Sequence, residues 1–145
     1  MNQVVGTLFF KDKKLLIDKP RKRPTYQMIG GSVEEYESIF DAAVRECKEE
    51  LGDKAIFDKN KIKFLMEFDE IATSDPNLKI HMNIFLYEGE LEGVLSISDE
   101  IEDFIFIQEE LERISITVET LRLWSEKMIA NGMIDEAEYM KYKNR

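Results

Sequence analysis

The sequence predicts an α+β domain in which helices pack on a mixed β-sheet. Its 145 residues are the size of one ordinary domain, long enough to bury a core without disulfides or a structural metal. Apolar runs rich in β-branched and aromatic residues precede a helical segment, more such runs follow it, and helical patterns close the chain. Because this element order is typical of α+β folds, we expect one domain over residues 1–145.

The first part of the chain predicts a hairpin, a loop and a short strand. The polar residues 11–13 separate the apolar runs VVGTLFF and KLLIDK, as a hairpin turn would. Pro20 and Pro24 enclose a loop. The segment TYQMI then predicts a strand that ends in a turn at Gly30 and Gly31.

Next comes the first predicted helix. Ser38, with Asp41 three residues later, is a suitable helix start, and Gly52 is a suitable end. We therefore expect this helix to separate the first strands from the second group.

The second half predicts four strands and the C-terminal helices. The segments with strand composition, two of them separated by an SDPN turn, are AIFDK, KIKFLMEFDEI, KIHMNIFLYEGEL and IEDFIFI. EELERI suits a short helix, TVETLRLWSEKMIA a longer one that ends at Asn131 and Gly132, and DEAEYMKYK another. We place C-terminal helices at about residues 117–143 and expect them to pack on the sheet.

Composition argues against several classes of protein. A formal net charge of −10 disfavours binding to long nucleic acids, which requires Lys and Arg to neutralise phosphates. The apolar runs are too short to span a membrane, and the first residues lack the pattern of a secretory signal. The single cysteine, Cys47, excludes an internal disulfide and fits a reducing compartment. We therefore expect a cytoplasmic protein, a monomer or homodimer, that binds neither long nucleic acid nor membrane.

Basic residues are concentrated ahead of the acidic stretch. They are Lys11, Lys13, Lys14, Lys19, Arg21, Lys22 and Arg23. Such a patch suits a small phosphorylated ligand, whereas a solvated hairpin and loop is the alternative interpretation. We take Arg23 as a candidate substrate-binding residue.

The predicted first helix has an apolar face and an acidic face. At 100° per residue the apolar face carries Phe40, Ala43, Val44, Cys47 and Leu51. Glu46, Glu49 and Glu50 lie together on the opposite face, where like charges repel by about 0.2–0.5 kcal/mol per pair. A hard divalent cation, Mg²⁺ or Mn²⁺, would offset that repulsion. The alternative is a solvated acidic face with Arg45 and Lys48 as local partners.

The complete spacing of this segment is more specific than its charge. One glycine, a glutamate, an Arg-Glu pair, a Glu-Glu pair and a final glycine recur at fixed intervals, at Gly31, Glu37, Arg45, Glu46, Glu49, Glu50 and Gly52. This pattern resembles the Nudix box, the signature of the Nudix hydrolases. Three neighbouring positions depart from the residues usual in that family but remove no charge: Ile29, Cys47 and Asp53.

The resemblance implies a Nudix fold, with the mixed sheet packed between helices as an α/β/α sandwich. It also implies hydrolysis of a nucleoside diphosphate linked to another group, by water that a metal ion activates. Carried over by position, Glu49 and Glu50 are the principal Mg²⁺ or Mn²⁺ ligands. Glu46 is a further ligand or the water-activating base, and the Gly30 carbonyl is a ligand from the loop.

Supporting roles follow from the same resemblance. Glu37 supports the metal site, and Arg45 orients the carboxylates by charge-assisted hydrogen bonds. A glutamate just before the last core strand often lies near the metals in relatives of the MutT type, and Glu100 is our candidate. Glu102 and Asp103 are near enough to take that role instead, and a charged turn is the structural alternative.

Two further residues have weaker functional signals. Tyr26 falls where many relatives place an aromatic residue and would stack on a base, although packing in the core or at its rim explains it equally well. His81 alternates with apolar residues in a predicted strand and is more typical of a structural or surface histidine.

The substrate is the least specified part of the prediction. We expect a MutT-like pyrophosphohydrolase of nucleoside triphosphates that releases a monophosphate and pyrophosphate. A hydrolase of nucleotide sugars or other diphosphates is the alternative enzyme. A Nudix-fold domain that senses nucleotides without turnover is a third hypothesis, which the retained glutamates and Arg45 disfavour.

Overall fold

A computed structural model describes residues 2–12, 14–23, 26–71 and 75–106. The strands are β1 (Asn2–Leu8), β2 (Phe10–Lys11), β3 (Lys14–Pro20), β4 (Gln27–Ser32), β5 (Ala55–Ile56), β6 (Ile62–Ile71), β7 (Lys79–Tyr87), β8 (Glu92–Gly93) and β9 (Ile101–Phe106). Helix α1 (Ile39–Leu51) follows β4, and a 3₁₀ turn (Lys59–Lys61) precedes β6. No helix within these described ranges is long and apolar enough to cross a membrane.

The larger sheet is mixed, as predicted. Its strand order is β2-β3-β4-β1-β7-β6, with β9 also paired to β3. Strands β1 and β7 are parallel, whereas the other pairs in this sheet are antiparallel. Strands β5 and β8 form a separate two-stranded sheet.

Apolar side chains are buried on both faces of the larger sheet. Helix α1 packs on one face, where Leu16 and Ile29 from the strands join Cys47 and Leu51 from the helix. The opposite face has its own buried cluster, which includes Leu8, Leu15, Ile17, Tyr26, Met28, Met66 and Ile84. The C-terminal helices predicted at about 117–143 lie outside the described residues. The α/β/α sandwich and the single domain over 1–145 therefore stay predictions.

Two of the strand predictions need correction. The predicted hairpin is confirmed only for β2 and β3, because β1 pairs instead with β4 and β7. The predicted turn at Gly30 and Gly31 is wrong, since β4 continues to Ser32. These glycines pair with Gly6 and Val5 of β1, and a Cβ added to Gly30 would lie 2.0 Å from the Val5 carbonyl oxygen. Close strand packing, not a turn, requires glycine there.

Helix α1 confirms the predicted limits. The Ser38 Oγ accepts a hydrogen bond from the Asp41 amide at 3.0 Å, and Gly52 ends the helix with a φ of 89°. Burial differs from the predicted faces at two positions. Phe40 remains 37% exposed, whereas Glu50, predicted opposite the core, is only 5% exposed.

Tyr36, in the loop before α1, has an unfavourable backbone conformation. Its φ is 66°, and its side chain is 99% exposed. We expect Tyr36→Gly to raise the free energy of unfolding by about 0.5–1 kcal/mol, because relief of the left-handed strain outweighs the added entropy of the unfolded chain. Chemical denaturation measures this difference. Tyr36→Ala retains a Cβ at positive φ and is the control, and equal stability of the Gly and Ala variants would contradict the strain argument.

Candidate active site

Arg45 on α1 holds three glutamates together. Its Nε and Nη2 donate to the two oxygens of Glu37 at 2.7 and 2.9 Å. Its Nη1 donates to Glu46 at 2.9 Å and to Glu49 at 3.2 Å. The remaining Nη2 proton is directed to the Ser32 carbonyl oxygen at 3.0 Å. Each of the five N–H donors of this guanidinium therefore has an acceptor, an arrangement that a lysine cannot reproduce.

Glu37 connects the loop before α1 to this network. Hydrogen bonds from Arg45, and a further one from the Glu34 amide, lower the pKa of Glu37 from 4.5 to about 2. The carboxylate consequently stays ionised at any ordinary pH and fixes the orientation of the guanidinium.

The shifted pKa of Glu37 predicts a stability difference that depends on pH. Because the folded protein holds this carboxylate ionised, its contribution is present above the unfolded pKa near 4.5 and is lost as pH falls toward 2. We expect Glu37→Gln to have a lower melting temperature than the wild type at pH 6. The difference between the two melting temperatures should narrow steadily below about pH 4.5. Glu35→Gln, an exposed change in the same loop, is the control. A melting-temperature difference between Glu37→Gln and the wild type that does not vary with pH would refute the lowered pKa of Glu37.

Glu50 turns inward, away from Arg45. One carboxylate oxygen accepts the Gly30 amide at 2.7 Å, and the other lies 3.5 Å from the Gln27 side-chain nitrogen. Burial, followed by the neighbouring charge of Asp18, raises the pKa of Glu50. Gly30 therefore contacts Glu50 through its N–H, and metal ligation by the Gly30 carbonyl stays a prediction.

Asp18 lies next to Glu50, although it was not predicted from the sequence as a site residue. This residue of β3 is fully buried beside Glu50, and neither of its oxygens accepts a hydrogen bond from a donor within the described ranges. Asp18 can share a hydrogen bond with Glu50 when one of the two carboxyls is protonated. Burial raises the pKa of Asp18. The available signal was its alternation with buried Leu16, which places an acid at a core-facing position.

Glu46 is intermediate in exposure between Glu49, which is half-exposed, and Glu50, which is buried. Burial is the largest cause that raises its pKa, and the charges of Glu49 and Glu100 add to that effect. The side chain fits here because the nearest residue of β4 is a glycine: a Cβ on Gly31 would lie 2.5 Å from a Glu46 oxygen. The second glycine of the pair thus provides the space for this carboxylate.

The acidic segment before β9 contributes one residue near Glu46. Glu100 is exposed, and its charge acts on Glu46. Glu102 instead forms an ion pair with Lys19, and Asp103 accepts a hydrogen bond from the Tyr26 hydroxyl. These placements favour Glu100 over its two neighbours for a role at the site, and that role stays a prediction.

The two predicted substrate-binding residues lie in different environments. Tyr26 is 4% exposed and belongs to the cluster on the face opposite α1, which favours the packing interpretation. Arg23 is exposed, and its Nη1 donates to the Gln27 side-chain oxygen at 3.4 Å. Since Gln27 also contacts Glu50, it links Arg23 to the inner carboxylates. Gln27 was likewise not predicted from the sequence as a residue of this region.

A cleft of about 400 Å³ opens beside Glu49. Phe40 and Val44 give it an apolar lining, and Lys48 and Lys59 add positive charge. Arg45 and Glu49 also line it. A ligand with an apolar part and anionic groups would therefore fit next to the Arg45 network.

His81 lies outside the contacts of this site. Its Nδ1 is 2.7 Å from an Asp69 oxygen, and this hydrogen bond raises the pKa of the imidazole. Cys47 is buried, and burial raises the pKa of its thiol to about 12. Both placements agree with the structural interpretations made from the sequence.

The oxygen donors of the site suit Mg²⁺ or Mn²⁺ chemically, since hard cations prefer carboxylates. Among the described residues, however, no three Asp, Glu, His or Cys side chains are placed to hold a metal ion together. Arg45 binds Glu46 and Glu49, whereas Glu50 accepts the Gly30 amide instead. The buried carboxyls of Asp18 and Glu50 nevertheless form no ion pair with a described Lys or Arg, which fits a cation.

Comparisons with known proteins place the chain in context. A family model described as the NUDIX domain matches residues 2–137. A UDP-X diphosphatase is similar in structure with a TM-score of 0.68 and 20% identity, covering 90% of this chain and 63% of that chain. A MutT NUDIX hydrolase from Burkholderia pseudomallei is similar in structure with a TM-score of 0.55 and 22% identity. The match covers 73% of this chain and 81% of that chain.

A third similar structure carries ligands. It is a bifunctional NMN adenylyltransferase/ADP ribose pyrophosphatase from Francisella tularensis, complexed with AMP and a Mn ion. Its TM-score is 0.55 at 19% identity, and the match covers 73% of this chain and 33% of that one. A search of curated proteins finds no match.

Proposed function

The chain belongs to the NUDIX domain family and is a Nudix hydrolase that acts on phosphoanhydride bonds, and we propose that its substrate is a nucleoside triphosphate. The products are then a nucleoside monophosphate and pyrophosphate, with Mg²⁺ or Mn²⁺ as cofactor. The observation that carries the proposal is the Arg45 network, which binds Glu46 and also Glu49, a residue that lines the cleft, while Glu50 accepts the Gly30 amide.

Each carboxylate has a separate task in this proposal. Glu49 and Glu50 would hold a divalent cation, which would supply water activation and neutralise phosphate charge. Glu46 takes the proton of the attacking water on Oε2, because its Oε1 already accepts from Arg45. Burial raises the pKa of Glu46, which makes it a stronger base than an exposed glutamate. Glu100 supports this step through its charge.

Other residues orient the site and the substrate. Arg45 and Glu37 fix the carboxylates before substrate arrives, so less reorganisation is required during the reaction. Arg23, which donates a hydrogen bond to Gln27, would bind phosphate oxygens in this proposal.

A hydrolase of nucleotide diphosphates linked to another group is the second candidate. It is favoured by the likeness to a UDP-X diphosphatase, whose TM-score is the highest of the three comparisons described. The distinguishing feature is the product, since such a substrate gives two monophosphates and no pyrophosphate.

Product analysis tests the proposal. We expect nucleoside triphosphates incubated with the protein and Mg²⁺ or Mn²⁺ to yield orthophosphate only after pyrophosphatase is added, because attack occurs at an internal phosphorus. A parallel panel of nucleotide sugars and dinucleotides tests the second candidate. Orthophosphate released directly from triphosphates would contradict the proposed reaction, and turnover confined to the second panel would favour the alternative.

A further inference from the structure

A buried acid on β3 extends the candidate site beyond α1. Asp18 is 0% exposed, and both of its oxygens lack a hydrogen-bond donor among the described residues. It pairs in register with Gln27 of β4 and alternates with Leu16, so its side chain belongs to the face on which α1 packs. Its acidic neighbour there is Glu50, which is 5% exposed.

The cations of the described structure do not neutralise this inner pair. All five donors of Arg45 are directed to other acceptors, and the described ion pairs include neither Asp18 nor Glu50. Glu50 has the Gly30 amide as a donor, whereas Asp18 has none. A buried carboxylate in such surroundings is strongly unfavourable unless a cation or a proton neutralises it.

We propose that Asp18 is a ligand of the divalent cation, acting from β3 together with Glu50 of α1. The cation itself rests on the proposed function, whereas the assignment of Asp18 rests on its burial and on its unsatisfied oxygens. A site shared between a strand and a helix also accounts for the inward direction of Glu50. Glu49, held by Arg45, lines the cleft next to this site.

Binding of Mn²⁺ alone tests this assignment without reference to turnover. The electron paramagnetic resonance signal of free Mn²⁺ is titrated with the full chain, as wild type, Asp18→Asn and Asp53→Asn. We expect Asp18→Asn to raise the Kd for Mn²⁺ by at least about tenfold, because a neutral amide is a weaker ligand than a carboxylate. Asp53→Asn removes the same charge from an exposed position and should change the Kd by less than about twofold.

The competing occupant is a proton shared between Asp18 and Glu50. In that case Asp18→Asn binds Mn²⁺ as the wild type does, and this result overturns the proposal. Thermal melting without added metal checks that the variant is folded. Asp18→Ser repeats the test if the Asn variant does not fold, with the same expected loss of affinity.

The outcomes for the cation ligand and for the proposed reaction are separable. A wild type that hydrolyses triphosphates, with an unchanged Kd in Asp18→Asn, overturns the inference alone. Mn²⁺ binding that depends on Asp18, in a protein that releases no pyrophosphate from any triphosphate, overturns the proposed substrate alone. A wild type that does not bind Mn²⁺ at millimolar concentration overturns the assignment of Asp18.

Discussion

Replacing Glu49 by glutamine is expected to lower turnover by at least about 100-fold. The carboxylate is half-exposed, and it contacts Arg45 at 3.2 Å. Because the glutamine side-chain oxygen can accept the same hydrogen bond, the variant should keep the Arg45 network and its fold. Under the proposed function it loses one anionic metal ligand, and with it the activation of water and the stabilisation of phosphate charge.

Steady-state rates on the best nucleotide substrate measure this effect, with melting temperature as the check on folding. Glu90→Gln is the matched control, because Glu90 is exposed in the loop after β7 and is outside the site. We expect the control to retain the wild-type rate. If Glu49→Gln retains that rate as well, Glu49 is an ordinary surface residue and the proposed metal site is wrong.

Replacing Arg45 by lysine should damage both stability and turnover. Lysine keeps the positive charge but has three donors on one atom, so it cannot bind both oxygens of Glu37 and also reach Glu46, Glu49 and the Ser32 carbonyl. We expect the free energy of unfolding to fall by about 2 kcal/mol, since at least one charge-assisted hydrogen bond to a half-buried carboxylate is lost. Turnover should fall by about 10–100-fold, because the carboxylates lose their fixed orientation.

Chemical denaturation and steady-state kinetics together test this prediction. Lys63→Arg, an exchange between the same two residue types at an exposed position of β6 outside the cleft, is the control and should leave both quantities unchanged. A wild-type rate in a folded Arg45→Lys variant would show that charge alone, and not the planar geometry of arginine, is required.

Short-range signals in the sequence predicted the helix and the family. The Ser38 cap, the apolar repeat and the Gly52 end depend on residues within a few positions of one another, and α1 has these limits in the structure. The Nudix box is also a local pattern, and the family model confirms the assignment made from it. The positions of the glutamates and of Arg45 on α1 could therefore be predicted without knowledge of the fold.

The sequence did not distinguish between a turn and a closely packed strand at Gly30 and Gly31. Gly30 and Gly31 predicted a turn, because glycine is common where the backbone reverses. In the structure they lie within a strand, where Gly30 approaches the Val5 carbonyl and Gly31 leaves space for Glu46. The same residue type serves both purposes, and only the positions of β1 and α1 distinguish them.

The sequence by itself determined the first helix, its glutamates and Arg45, and the family to which they belong. The tertiary structure alone decided that Arg45 also binds Glu37 and the Ser32 carbonyl oxygen, and that Glu50 is buried beside Asp18. Helical spacing is set by hydrogen bonds between residues four apart and can be read from a short segment. Burial is set by β3 and β4, which are distant in sequence, and helical projection contains no information about where those strands lie.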